Sequence, residues 1–210
     1  LSLDYTNTAV ISGIGCTGRM GGYLNVDSVY TLHGRTLPVA EAVKLVNPDL
    51  NVIVVSGDGD IASIGGNHLL HAARRNPNIT VLCNNNEVYG LTGGQAGPTT
   101  PRDTKTLTTP AGATYDPVNL QNLVKAGAKY FYARTTVYHQ AHLRRCIEQA
   151  IAWPGFAFVE IACHCIENNG RRLGFKSAYE MLLNFRATYH MAASDVETLA
   201  PFEIGVVSSG

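Results

Sequence analysis

The stretch 52–97, VIVVSGDGDIASIGGNHLLHAARRNPNITVLCNNNEVYGLTGGQAG, constrains the fold more than any other part of the chain. It reads as an apolar strand, a Gly/Asp turn, a helix, a second apolar strand and a polar Asn/Gly loop. Ile53, Val54 and Val55 form a β-branched run of the kind buried on both faces of a parallel sheet. The Ser56-Gly57-Asp58-Gly59-Asp60 segment stops it. Positions 61–75 carry Ile64, His68, Leu69, Ala72 and Ala73 at helical spacing, which predicts a helix whose first turn can offer N–H groups to phosphate oxygens. Positions 79–82 predict the second strand, and Asn84-Asn85-Asn86-Glu87 follows at once. The sum is a βαβ unit with polar chemistry at the carboxyl end of each strand, where open α/β sheets bind ligands.

With a right-handed crossover, Asp58 and Asn86 stand at the ends of neighbouring parallel strands. One carboxylate and one amide oxygen suit magnesium, which takes octahedral oxygen ligands and completes its shell from phosphate and water. Asp-Gly and Asn-rich stretches also serve as plain turns. The pairing of the two across a helix and a strand favours a site.

Several motifs in fixed order carry a resemblance. They are SGIGC at 12–16, HGRTLP at 33–38, GDGD at 57–60, GGNH at 65–68, HAARRN at 71–76, VYGLTGGQ at 88–95 and GPTTP at 97–101. Together they resemble the β subunits of 2-oxoacid:ferredoxin oxidoreductases, the 2-oxoglutarate type most of all. Gly57-Asp58-Gly59 with Asn85-Asn86 resembles the thiamine diphosphate-binding motif. The resemblance spans roughly residues 5–170. It implies an α/β fold, a mostly parallel sheet flanked by helices in the Rossmann-like, thiamine diphosphate-binding arrangement. It also implies a domain 1–170 that binds the cofactor; residues 171–210 are then a C-terminal extension packed on that domain or on a partner.

The resemblance implies roles as well. Asp58, Asn86 and the Val88 carbonyl would hold magnesium. Ile14, Gly15, Cys16, Thr17, His33, Gly34, Arg35, Thr36, Gly57, Gly59, Asp60, Gly90 and Leu91 would contact thiamine diphosphate, with His33 and Arg35 as catalytic candidates. Read from the residues alone, 13–18 is a Gly-rich phosphate cradle or a buried turn, and His33 with Arg35 is a site pair or a solvated loop. Cys163-His164-Cys165 is likewise a metal motif or a pair of turn thiols. In the resembling family four cysteines hold a 4Fe–4S cluster: an upstream Cys-x-x-Cys and two that match Cys16 and Cys165. Only the last two stand in this sequence. The chain starts at Leu1 rather than Met, which reads as missing upstream sequence.

The implied reaction is oxidative decarboxylation of a 2-oxoacid, 2-oxoglutarate favoured, with the acyl group passed to coenzyme A and electrons through iron–sulfur to ferredoxin. A partner α subunit would supply the carboxylate that activates the cofactor, so this chain alone would be inactive. The alternatives are a non-redox thiamine diphosphate-dependent decarboxylase or synthase subunit, and a non-enzymatic Rossmann-like module. The absence of Gly-x-Gly-x-x-Gly with a following acidic residue speaks against the last.

Composition bounds the partners. The 210 residues hold 16 basic and 16 acidic side chains, so nothing favours nucleic acid or an anionic membrane. No apolar run approaches a membrane span. Charged residues make up only 15%, which favours a partner covering much of the surface. Five cysteines, an odd number, argue against a disulfide framework and for the cytoplasm.

The remaining elements read in order. Positions 8–12 predict a strand, 21–30 a loop, and 37–46 a helix capped by Thr36 with Ala40, Val43 and Leu45 or Val46 on its apolar face. The long Gly/Pro-rich stretch 87–115 predicts the wall and lid of the pocket. Asp116 and Pro117 predict a helix start. Strands are expected at 129–133 and 156–161, and helices at 137–151 and 177–189.

Overall fold

The fold is described from a computed structural model, over residues 3–210. The first two residues of the expected 1–170 domain lie outside the described residues. In chain order the elements are β1 (Thr8–Ser12), β2 (Asp27–Tyr30), α1 (Thr36–Val46), β3 (Asn51–Gly57), α2 (Gly66–Arg75) and β4 (Thr80–Asn85). They continue with the short pair β5 (Val88–Tyr89) and β6 (Gln95–Ala96), then α3 (Leu120–Val124), β7 (Tyr130–Thr136), α4 (Gln140–Ala152) and β8 (Ala157–Ala162). Last come α5 (Ala178–Thr188), β9 (His190–Met191) and β10 (Glu203–Ser209).

One eight-stranded sheet runs β2-β1-β3-β4-β8-β7-β10-β9. All its pairings are parallel except β10 on β7. This is the mostly parallel α/β fold expected. Alternate residues of β3 face opposite layers. Val52 and Val54 pack with Leu37 and Ala40 of α1 and Leu69, Ala72 and Ala73 of α2. Ile53 and Val55 face the other side, where Ile151 of α4 packs against them. All six residues of β8 are buried, as a central strand between two helical layers requires. Cys83 and Cys146 are fully buried and serve as small apolar core residues.

The segment after residue 170 adds to the same sheet. β10 pairs with β7 and buries Ile204 and Val207, and the Leu199 amide donates to Gln121 Oε1 at 2.9 Å. Ser177 caps α5 through the Glu180 amide.

Several local expectations change. Positions 27–30 form a strand, β2, although all four residues are exposed; only backbone pairing with β1 defines it. Thr36 does not cap α1 but is its first residue, buried behind Arg35. Leu45 and Val46 lie outside the core, 83% and 85% exposed. The helix expected from 116 begins at Leu120, capped by Asn119, because Asp116 turns outward to Arg102. The single helix expected at 61–75 is two elements. A π-helical turn spans Gly59–Ile64, closed by the Gly65 amide donating to Asp60 O at 3.0 Å, and α2 starts after it.

Candidate functional site

The carboxyl ends of β1, β3 and β4 open on one cavity. Its walls come from the turn after β1 (Ile14, Gly15, Cys16, Thr17), from His33, from Gly57 to Asp60, and from Asn86 with Val88 to Thr92. Thirteen positions expected at the site therefore meet there: Ile14, Gly15, Cys16, Thr17, His33, Gly57, Asp58, Gly59, Asp60, Asn86, Val88, Gly90 and Leu91.

β3 and β4 are neighbours, paired through Gly57 and Asn84, and this register sets Asp58 beside Asn86. Asp58 is 2% exposed. Its Oδ1 accepts from the Asn86 amide at 3.3 Å and its Oδ2 from Thr99 Oγ1 at 2.8 Å. Burial pushes its carboxyl up to about 6, against the downward pull of those hydrogen bonds. Asn86 Oδ1 accepts from the Val88 amide at 3.2 Å, which folds the Asn86–Val88 segment tightly over the strand end. Between them Glu87 adopts a left-handed backbone, φ 64°, and its carbonyl accepts from Thr100 Oγ1. Burial, and then the charge of Asp58, push the Glu87 carboxyl up to about 7. A buried carboxylate and an amide oxygen on one wall are the donor set that a hard divalent cation takes. The residues present fit magnesium with a diphosphate.

Three expected residues do not reach the cavity. Gly34 is buried behind it with φ 71°, its amide donating to Asp60 Oδ1 at 2.7 Å. Arg35 is exposed, and its guanidinium donates to the Gly34 carbonyl at 3.3 Å. Thr36 is buried at the start of α1. These residues shape the loop that carries His33, and Arg35, a catalytic candidate by resemblance, does not line this cavity. A Cβ at Gly34 would stand 2.6 Å from Ile64 Cγ2 and 2.7 Å from the Gly65 amide nitrogen, on a backbone that L side chains avoid. Gly34→Ala is therefore expected to destabilise the chain by about 2–5 kcal/mol, readable in a urea titration. An unchanged midpoint would contradict this packing.

Cys165 lies on the far side of the 88–92 wall, in a second cavity with Glu87, Cys163 and His164. Gly90 nevertheless brings it near Cys16. A Cβ at Gly90 would stand 3.1 Å from Cys165 Sγ and 3.8 Å from Cys16 Sγ, so both thiols lie close to this glycine. The Asn168 amide donates to Cys165 Sγ at 3.4 Å. Among the described residues no group of three or more His, Cys, Asp or Glu is placed to hold a metal ion.

The sequence reading passed over other residues here. Ser56 Oγ donates to Asp60 Oδ2 at 2.6 Å. Thr99, in the GPTTP motif, reaches both Asp58 and Asn85. Tyr89 and Thr92 complete the wall. Glu160 accepts from Asn85 Nδ2 at 2.8 Å and from Arg134 Nε at 3.2 Å. Position next to GDGD was the one available signal for Ser56. Only tertiary contact reveals Glu160. From the stretch 87–115, residues 88–92 and Thr99 reach the site; Gly97, Pro98, Thr100, Ala113 and Tyr115 line a separate groove.

Residues 13–161 match the family model described as thiamine pyrophosphate enzyme, C-terminal TPP binding domain. A 2-oxoglutarate synthase subunit KorB of Methanothermobacter thermautotrophicus is 44% identical over 202 residues, covering 93% of this chain and 71% of that protein. A 2-oxoacid:ferredoxin oxidoreductase subunit beta of Aeropyrum pernix is 46% identical over 165 residues, covering 79% of this chain and 53% of that one. Among solved structures, the 2-oxoglutarate:ferredoxin oxidoreductase of Magnetococcus marinus matches with a TM-score of 0.86 and 32% identity, covering 99% of this chain and 73% of that chain. That structure holds 2-oxoglutarate, coenzyme A and succinyl-CoA.

Proposed function

The chain belongs to the thiamine pyrophosphate enzymes, and within them to the β subunits of 2-oxoacid:ferredoxin oxidoreductases, and from this premise we propose which of its residues hold the cofactor and what they act on. Asp58, Asn86 and the Val88 carbonyl hold magnesium. The backbone of Gly15, Gly57, Gly59, Gly90 and Leu91 flanks the diphosphate. Thiamine diphosphate, when bound, supplies an electron sink for decarboxylation of a 2-oxoacid. The chain's own part is to anchor the diphosphate end, to line the cavity with Tyr89 and Leu91, and to present His33.

The substrate of the proposal is 2-oxoglutarate, with coenzyme A as acyl acceptor, ferredoxin as electron acceptor and an α subunit as partner. The similarity to 2-oxoglutarate synthase subunits supports that choice. Cys16 and Cys165, each within 4 Å of where a Cβ at Gly90 would stand, are the thiols these residues would offer to an iron–sulfur cluster. Cluster sites take four cysteines, of which these would be two. The five cysteines are all unpaired, which supports a cytoplasmic setting. Among the described residues no helix is long and apolar enough to cross a membrane.

The single observation that carries the reading is the buried Asp58 carboxylate on one wall with Asn86. The test has two arms. Calorimetry on the purified chain with its α partner should show thiamine diphosphate binding that requires magnesium. The same complex should reduce ferredoxin with 2-oxoglutarate and coenzyme A, and far more slowly with pyruvate. Binding that ignores magnesium would remove the metal assignment. Equal rates on the two acids would remove the substrate.

A further inference from the structure

Asp60 lies two residues past the proposed magnesium ligand, and its carboxylate serves the loops rather than the metal. It is 2% exposed. Oδ2 accepts from Ser56 Oγ at 2.6 Å. Oδ1 accepts from the Gly34 amide at 2.7 Å and from the Ile14 amide at 3.4 Å. His33 Nδ1 stands 2.6 Å from the same Oδ1. One carboxylate thus ties together the turn after β1, the loop before α1 and the end of β3.

The His33 contact fixes a proton. The contact lacks regular hydrogen-bond geometry, so the hold of Asp60 on the ring is electrostatic. A carboxylate oxygen 2.6 Å away favours an N–H over a bare nitrogen, so the neutral ring carries its proton on Nδ1. Nε2 then carries the lone pair. Nδ1 is buried while 32% of the His33 side chain is exposed, so the far edge of the ring is the part open to the cavity it lines. Tyr89 braces the ring edge-on, centroids 6.4 Å apart at 69°.

We propose that Asp60, seated by Ser56, is a positioning residue that holds His33 in the Nδ1–H tautomer and turns Nε2 into the cavity as its proton acceptor. The inference rests on the cofactor-site reading above. Nε2 accepts a hydrogen bond from an O–H or N–H of the bound ligands. Taking that proton outright leaves an imidazolium beside the Asp60 carboxylate, and returning it restores the neutral ring. The arrangement parallels the carboxylate that orients the histidine of a serine hydrolase. Asparagine at position 60 that still accepts from the Gly34 amide keeps Oδ1 against His33 and turns its NH₂ to Ser56, so it removes the negative charge that steadies the imidazolium.

The test is a double-mutant cycle in the complete α–β complex, with Asp60→Asn, His33→Ala and the double variant. The readouts are kcat, KM for the 2-oxoacid, thiamine diphosphate affinity by calorimetry and melting temperature. Asp60→Asn is expected to lower kcat by about 10²–10⁴-fold, the range of a general base and its orienting carboxylate. KM and cofactor affinity should stay within about threefold. The double variant should be no slower than the slower single, because both act through one ring. Losses that multiply, or a kcat within about threefold of wild type, would overturn the proposal. So would a collapse of thiamine diphosphate affinity in Asp60→Asn, which would make Asp60 a cofactor ligand. Should Asp60→Asn not fold, Ser56→Ala takes its place. It should slow kcat about tenfold in the wild-type background and not at all with His33→Ala, and an equal loss in both backgrounds would overturn the idea. Failure of the wild-type complex to bind the cofactor would instead sink the site reading itself.

Discussion

Asp58→Asn is expected to yield a chain that is more stable than wild type when metal-free at pH 7, and that gains nothing from magnesium and thiamine diphosphate. In the metal-free chain the Asp58 carboxyl is buried, and burial raises its pKa from 3.8 to about 6. The native state therefore binds this proton more tightly than the unfolded state does. Its contribution is favourable below about pH 4 and is lost as pH rises through about 6, so at pH 7 the buried charge lowers stability by about 2–3 kcal/mol. Asparagine has the same shape, carries no charge and keeps an oxygen for Thr99, but its NH₂ then meets the Asn86 amide, which offsets about 1 kcal/mol of the gain. The melting temperature of the metal-free variant should exceed that of wild type by roughly 2–8 °C at pH 7, with the gap closing as pH falls through the range about 6 to 4. Ligand reverses the order. Wild type gains about 2.7 kcal/mol at a hundredfold excess over Kd. The variant, without the charged metal ligand, should bind at least ~100-fold more weakly. Melts at two pH values, each with and without magnesium and cofactor, check both halves. Parallel pH profiles for the two chains would refute the burial argument; an undiminished ligand shift in the variant would refute the metal assignment.

That Asp58 and Asn86 share a wall was legible because every step to it is local. A β-branched run, a Gly/Asp turn, a helical period and a second apolar run each read from a few adjacent residues, and right-handed crossover does the rest. Asp60 shows where such reading stops. It stood in the same motif and lines the cavity as expected, but the partners of its oxygens, Gly34, 26 positions back, and Ser56, were not legible. Residues 59–64 form a π turn where the apolar period alone predicted α-helix. β2 was hidden for the opposite reason: with every residue exposed it has no alternating pattern, and its edge pairing with β1 is carried by backbone alone. Asp116-Pro117 looked like a helix start, but Asp116 bonds to Arg102 and Asn119 takes the cap. Thr99, 41 positions from Asp58, was visible only as a word in a motif. Residues whose work is to hold another loop in place leave no periodic signal. The residues that line the strand ends do.

The second large effect is expected at a residue that touches no ligand. Glu160, 7% exposed on β8, accepts from Arg134 Nε on β7 at 3.2 Å, from Asn85 Nδ2 on β4 at 2.8 Å and from the Tyr132 hydroxyl. Tyr132 is fully buried; burial first, then the Glu160 charge, hold its phenol well above the usual range, so it stays a donor. Glu160→Ala removes the acceptor these three donors share. Taking one partner from a buried ion pair leaves the other charge uncompensated, which costs about 3–5 kcal/mol. For a chain of this length that is a fall of roughly 6–20 °C in melting temperature. The damage should also travel to the site. Glu160 fixes which way the Asn85 amide points, and Asn85 Oδ1 in turn accepts from the Glu87 amide at 3.2 Å and from Thr99, the donor to Asp58. Freed from Glu160, the amide can flip, and thiamine diphosphate affinity should drop about 10–100-fold, the usual effect of losing a ligand's supporting contact. Removing both charges, Glu160→Leu with Arg134→Leu, separates the two consequences. The double variant should recover part of the stability, because no unpaired charge remains while the Tyr132 hydroxyl and Asn85 Nδ2 still lack Glu160, but not the cofactor affinity, because Asn85 is still unheld. Recovery of both would mean that Glu160 acts on the site only through overall stability, and recovery of neither would mean that packing rather than charge was lost.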